Sequence, residues 1–222
     1  MKILAILGSP HGMRGNTARL MEEVLAGAKS VGGEIEIVSL SETKIQPCVG
    51  CDICHKVGGC PINDGFGPLI DKLLACDAFV LASPNYIFSV SAQMKAFFDR
   101  CCGVIHCQAL VGKYGAVVET SGGGGDADVL DYMQRFIGVL GATAVGGIGS
   151  SMAGPRTFPD EVSLFERARE LGRELYQSTR GKRELPKQEE ARLAFGARMK
   201  GLVEYMKDFW PYEYEYWQRL RK

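Results

Sequence analysis

The sequence predicts an α/β protein built on a parallel sheet with helices on both faces. Two observations carry this expectation. Short runs of strand formers alternate with helical patterns over roughly the first 180 residues, and that alternation demands crossover connections, which make parallel sheets. The chain of 222 residues, 46% of them hydrophobic, is long enough to bury the core such a sheet needs.

The elements follow in order. "KILAILG" (2–8) is an apolar strand, and "NTARLMEEVLAGAKSVG" carries helical spacing after a polar loop. "EIEIVSL" (34–40) alternates with period two, as a half-covered strand does. After a cysteine-rich stretch come a helix in "GPLIDKLLACD", a strand in "AFVLASP" (78–84), a helix in "SAQMKAFFDRC" and a strand in "GKYGAVVET". "DADVLDYMQRFIGVLG" is a further helix, "ATAVGGIGS" a fifth strand and "FPDEVSLFERARELGRELYQS" a long amphipathic helix. Five parallel strands suggest a doubly wound sheet in the flavodoxin-like order, whose ligands bind beyond the carboxyl ends of the strands. The expected organisation is a domain over 1–180, with the cysteine loop at 48–60 inserted in it, and a charged, helical, aromatic extension over 181–222.

Charge excludes some partners. With 26 basic and 26 acidic side chains the net charge is zero, so no global field attracts nucleic acid or an anionic membrane. "MKILAILGSP" is too short and too early for a signal sequence, and no apolar run approaches membrane-spanning length. A cytoplasmic location is therefore expected, where a reducing poise disfavours structural disulfides.

Three loops fall at the ligand edge of the expected sheet. "GSPHGMRGNT" (8–17) leads from strand to helix, with Asn16 and Thr17 where a helix N-terminus offers free N–H groups to a phosphate. It is neither a Walker loop nor a G-x-G-x-x-G dinucleotide fingerprint, so a single phosphate monoester suits it better; an ordinary capped helix would look the same. "SPNYIFSVSAQ" (83–93) places Pro84 and Tyr86 at the mouth of a buried strand, and "TSGGGGDA" (120–127) lets backbone approach a ligand closely. Together the loops describe a pocket for a flat ring with one phosphate tail, the shape of FMN.

Half of the eight cysteines lie in "CVGCDICHKVGGC": Cys48, Cys51, Cys54 and Cys60, spaced C-x2-C-x2-C-x5-C, with Pro61 following. Two successive C-x2-C steps can curl round three corners of a cubane and leave the fourth to a later ligand, so a [4Fe–4S] cluster is the leading reading. Structural zinc, which usually joins two separated pairs, thiols without a metal, and a redox disulfide stay open. His55, inside this loop, is expected to face solvent. Cys76 is expected in the core, and "CCGVIHC" (101–107) is expected to serve packing or an interface.

These loops resemble the flavin loops of the NAD(P)H-dependent FMN reductase branch of flavodoxin-like proteins, and the cysteine segment is similar to that of the iron–sulfur flavoproteins. The resemblance spans roughly 2–175. It implies that Ser9, His11, Asn16 and Thr17 lie along the FMN phosphate, with His11 where relatives commonly carry arginine. It implies that Pro84, Asn85, Tyr86 and Ile87 border the isoalloxazine and that Thr120, Ser121, Gly122 and Gly123 lie on its other edge. "PINDGFGPLI" departs from the acidic pair usual after the last cysteine, and its glycines and proline are expected to delay the next helix.

The activity implied is electron transfer between FMN and the cluster in a homodimer or homotetramer, the cluster of one subunit near the flavin of its neighbour. The donor would be ferredoxin or NAD(P)H, and no side chain is nominated as a catalytic acid or base. The alternatives are a clusterless NAD(P)H-dependent FMN or quinone reductase and a zinc-stabilised flavodoxin-like interaction module. The tail residues Phe209, Trp210, Tyr212, Tyr214, Tyr216 and Trp217 form too much apolar surface to leave in water, and are expected to dock on their own domain or on a partner subunit.

Overall fold

The computed structural model describes residues 1–220. Five parallel strands, β1 (Lys2–Leu7), β2 (Glu34–Ser39), β3 (Ala78–Tyr86), β5 (Tyr114–Ser121) and β6 (Thr143–Ser151), stand in the order β2-β1-β3-β5-β6. This is the flavodoxin-like order, and it brings the carboxyl ends of β1, β3 and β5 side by side at one edge. A sixth strand departs from the expected five. The two-residue β4 (Ser89–Val90) folds back antiparallel on β3, pairing Asn85 with Val90 and Tyr86 with Ser89. Ile87 and Phe88 between them both adopt positive φ, 50° and 60°, as a type I′ hairpin turn requires.

Each face of the sheet buries its own core, because alternate residues of a strand point to opposite sides. Leu4, Ile6, Phe79, Leu81 and Val117 face one way, under α3 (Phe66–Ala75), α4 (Ala92–Arg100) and α6 (Asp126–Val139), where Leu69, Met94, Phe97 and Ile137 meet them. Ile3, Ala5, Leu7, Val80 and Val118 face the other, under α1 (Asn16–Ser30) and α7 (Glu161–Gly181), which supply Leu20, Met21, Val24, Leu171 and Leu175. The edge strand β2 exposes Glu34 and Glu36, which explains its alternating sequence.

Two details differ from the sequence reading. The cap of α1 is Gly15, and Asn16 and Thr17 are the first helical residues, with no side-chain cap. The cysteine loop contains a short helix of its own, α2 (Ile53–Val57), and a second short helix, α5 (Cys102–His106), follows α4.

The stretch after 181 forms α8 (Pro186–Tyr205) and α9 (Pro211–Arg219). Gln188 of α8 accepts from the backbone N–H of Ala144 at 2.9 Å and donates to its carbonyl at 2.8 Å, capping the edge strand β6 at that residue. Helix α9 docks on this same chain beside α2, where the indole N–H of Trp217 donates to the carbonyl of His106 at 3.1 Å. No helix among the described residues is long and apolar enough to cross a membrane.

Candidate functional site

At the carboxyl edge, β1, β3, β5 and β6 end round a cavity of about 450 Å³, within the range of small-molecule sites. Ten of the twelve residues expected along a flavin line it: Ser9, His11, Asn16, Thr17, Pro84, Asn85, Tyr86, Thr120, Ser121 and Gly122. Ile87 and Gly123 do not; Ile87 projects from the tip of the β3–β4 hairpin, 91% exposed. The cavity floor is tight, with the hydroxyls of Thr17 and Thr120 bonded at 2.6 Å and Ser9 buried beneath.

The sequence reading missed one wall. Residues of the loop after β6, namely Met152, Gly154, Pro155 and Arg156, complete the cavity, and Arg14 joins them. Asn16 holds this loop in place: its amide donates to the carbonyl of Gly154 at 2.9 Å, and its side-chain oxygen accepts from the N–H of Arg156 at 2.7 Å. Among the described residues no acidic side chain lines the cavity, whereas His11, Arg14 and Arg156 do. That balance favours an anionic group at the N-terminus of α1. Across the cavity, nothing lies within 4 Å of where a Cβ would stand on Gly122, Gly123 or Gly124, so the glycines leave room that side chains would fill. The residues present fit a flat, phosphate-bearing group.

The cysteine loop lies elsewhere. Cys48 and Cys51 are exposed, Cys54 and Cys60 half-buried, and the latter two open onto a second cavity of about 330 Å³. Asp52, Gly50 and Gly58 take left-handed backbone angles, curling the chain so that Gly50 N–H points at Cys48 Sγ, 3.5 Å away. Arg100 is buried behind the loop. Its guanidinium donates to Cys60 Sγ at 3.1 Å and to the Asp64 carboxylate, and stacks on Phe66 at 4.4 Å. Burial opposes the Arg100 charge, but the bonds to Asp64 and Cys60 outweigh it and raise its pKa further; burial likewise opposes Asp64 ionisation, and Arg100 overrides it. A fixed cation beside a cysteine sulfur suits an anionic cluster.

A profile of the NADPH-dependent FMN reductase family matches residues 1–154. An iron–sulfur flavoprotein of Archaeoglobus fulgidus is 32% identical over 98% of both chains. The chain belongs to this family. A second iron–sulfur flavoprotein, from Methanocaldococcus jannaschii, is 32% identical over 79% of this chain and 95% of its own. Among solved structures the chain resembles RosB, with a TM-score of 0.69 at 17% identity over 89% of this chain and 86% of that one. It also resembles the two-electron reduced flavodoxin of Megasphaera elsdenii, with a TM-score of 0.52 at 17% identity over 80% of this chain and 99% of that one. The protein is a flavin-dependent oxidoreductase of the FMN class.

One constellation in this flavoprotein was not legible in its sequence. His55, expected to face solvent, is only 4% exposed. Glu213 of α9 reaches it across 158 positions, its two oxygens meeting Nδ1 of His55 at 2.5 Å and Nδ1 of His106 at 2.9 Å. The two rings stack with centroids 4.8 Å apart, and Trp210 lies against both at 4.6 and 5.1 Å. Burial opposes charging the rings, but hydrogen bonds to Cys102, Cys54 and Glu213 raise His55 to about 12, and those to Cys102 and Glu213 raise His106 to about 9. The same histidines lower Cys102 to about 6. Of the other cysteines, Cys76, Cys101 and Cys107 are buried as packing residues, and burial pushes Cys76 up to about 11.

Proposed function

We propose that this oxidoreductase passes electrons between FMN in the 450 Å³ cavity and a [4Fe–4S] cluster on Cys48, Cys51, Cys54 and Cys60. Bound there, the flavin would exchange electrons singly or in pairs and the cluster singly, so the protein links the two regimes. The observation that carries the reading is Arg100, a buried cation donating to Cys60 Sγ at 3.1 Å and locked by Asp64. A buried guanidinium aimed at a cysteine sulfur would offset the negative charge that four thiolates bring to a cluster.

The chain's own residues orient and insulate. Ser9, His11, Asn16 and Thr17, with Arg14 and Arg156, hold the phosphate. Pro84, Asn85 and Tyr86 border the ring on the β3 side, with Ile87 at the hairpin tip, and Thr120, Ser121, Gly122 and Gly123 border it from β5. No proton transfer from a side chain is required, so no catalytic acid or base is assigned. The two cavities share no lining residue, and apolar side chains crown both loops: Ile87 and Phe88 near the flavin cavity, Val49 and Val57 beside the cysteines, all exposed. This supports a homodimer or homotetramer in which one subunit's cysteine loop serves its neighbour's flavin, with ferredoxin or NAD(P)H as donor.

The test is the content of flavin, iron and acid-labile sulfide in protein purified without oxygen. The expected result is one flavin with about four iron and four sulfide per chain, the Cys51→Ala variant losing the iron and keeping the flavin. Flavin without iron would leave a clusterless NAD(P)H-dependent FMN or quinone reductase, and zinc on the loop cysteines would make the loop a structural knuckle.

A further inference from the structure

Outside the four loop cysteines, three potential metal ligands converge. His55 of α2 and Cys102 and His106 of α5 each bring one ligand atom within 4.8 Å of the other two. We propose that they form a separate mononuclear site for a divalent transition ion of the zinc class.

The donor set is the first reason. Two imidazoles and one thiolate are borderline-soft ligands of the kind zinc selects, and three protein ligands with one open position is a recurring arrangement for it. Spacing is the second. A tetrahedral ion with ordinary Zn–S and Zn–N bonds separates sulfur from nitrogen by about 3.6 Å, and Cys102 Sγ stands 3.6 Å from His106 Nε2. Cys102 and His106 are four residues apart on one helix, so a single turn presents both to the same side.

The third reason is Glu213. A histidine that ligates a metal through one nitrogen usually gives its other N–H to a carboxylate, which fixes the tautomer and aims the ring. Here one carboxylate, fully buried at 0% exposure, does this for both rings at once. Nε2 is then the nitrogen each ring turns away from the carboxylate, and one ligand atom of each ring lies within 4.8 Å of the Cys102 sulfur. A nucleophilic thiol would need one such histidine; two rings braced by one carboxylate against the same sulfur are what an ion requires. Trp210 closes the side toward the tail. Binding would displace the protons that the two rings and the Cys102 sulfur hold and release them to solvent, so that both rings bind as neutral imidazoles and the sulfur as thiolate, with no change of oxidation state. The ion would fasten α9 to the cysteine loop through Glu213.

The experiment uses the full chain purified without oxygen, treated with Zn²⁺, freed of excess ion and assayed for bound zinc. Wild-type protein should hold one zinc equivalent more than His106→Ala or Cys102→Ser, whereas Cys51→Ala should keep it. The readout is this difference, so it stands whether or not the loop cysteines hold iron. Glu213→Gln should weaken zinc binding roughly 10- to 100-fold, and Zn²⁺ should protect Cys102 from iodoacetamide. Retained FMN reports that each variant is folded; His106→Gln, which keeps side-chain bulk, replaces His106→Ala if that variant fails. Equal zinc in wild type and in the folded variants would overturn the proposal. So would alkylation of Cys102 at the same rate with and without Zn²⁺, which would make it a free reactive thiol.

Discussion

Glu119 is a carboxyl group enclosed at the ligand end of β5 with no hydrogen-bond partner on either oxygen among the described residues, and Asp126 beside it leaves Oδ1 equally bare. Burial first, and the Asp126 charge second, push its pKa up to about 8. The folded protein therefore keeps a proton that the unfolded chain releases near pH 4.5. Between those values stability falls as pH rises, and the loss is complete above about pH 8. Glu119→Gln, isosteric with the protonated form, should remove that slope: little change in unfolding free energy at pH 4, and a gain on the order of 1–3 kcal/mol at pH 9. Denaturant titrations at the two pH values measure it, and parallel curves for variant and wild type would mean the carboxyl is solvated. Residues of this kind show how far a sequence can be read. Glu119 sits in "GAVVET", where the pattern announces a strand but not what will enclose its one acid. The His55–Glu213 pair is equally silent, since nothing local signals a partner 158 positions away.

The helices α1 and α7 meet through glycine. A Cβ on Gly27 would land on the backbone of Arg169, and one on Gly172 on the backbone of Val24, so the two axes approach as closely as bare backbone permits. Backbone cannot rotate aside as a side chain can. Gly172→Ala should therefore destabilise the protein, despite alanine's better helix propensity, by about 1–3 kcal/mol in chemical denaturation. A stabilised variant would show the helices free to part. The same helices explain what was legible among the elements. Long periodic segments such as 161–181 declare themselves because core burial imposes their spacing. The two-residue β4 and the five-residue α2 and α5 carry too few residues to show a period, and their existence depends on a hairpin turn and on packing against α9. The wall formed by 152–156 was missed for a related reason: it is a loop, shaped by Asn16 rather than by any pattern of its own.

At the scale of the whole molecule, the cavity proposed for the flavin and the cysteine loop are separate places on one chain, and the proposed electron path has to join them. The hairpin tip beside the flavin cavity exposes Phe88 by 76% and Ile87 by 91%. Adjacent large apolar side chains held outward by a rigid turn are more than scattered surface residues, and such patches mark contact with another molecule. A second copy of this chain is the partner that would bring a cysteine loop, itself carrying exposed Val49 and Val57, to this flavin. Phe88 does not line the cavity, so Phe88→Asp tests assembly apart from flavin binding. A charge buried in an interface core should weaken association by about 2 kcal/mol or more, over tenfold in dissociation constant. Sedimentation of the variant should then shift to smaller species with its FMN content unchanged, and reduction of the iron by way of the flavin should slow in step with dissociation. An unshifted sedimentation profile would place the interface elsewhere, and fast reduction in a monomer would mean the electrons pass within one chain.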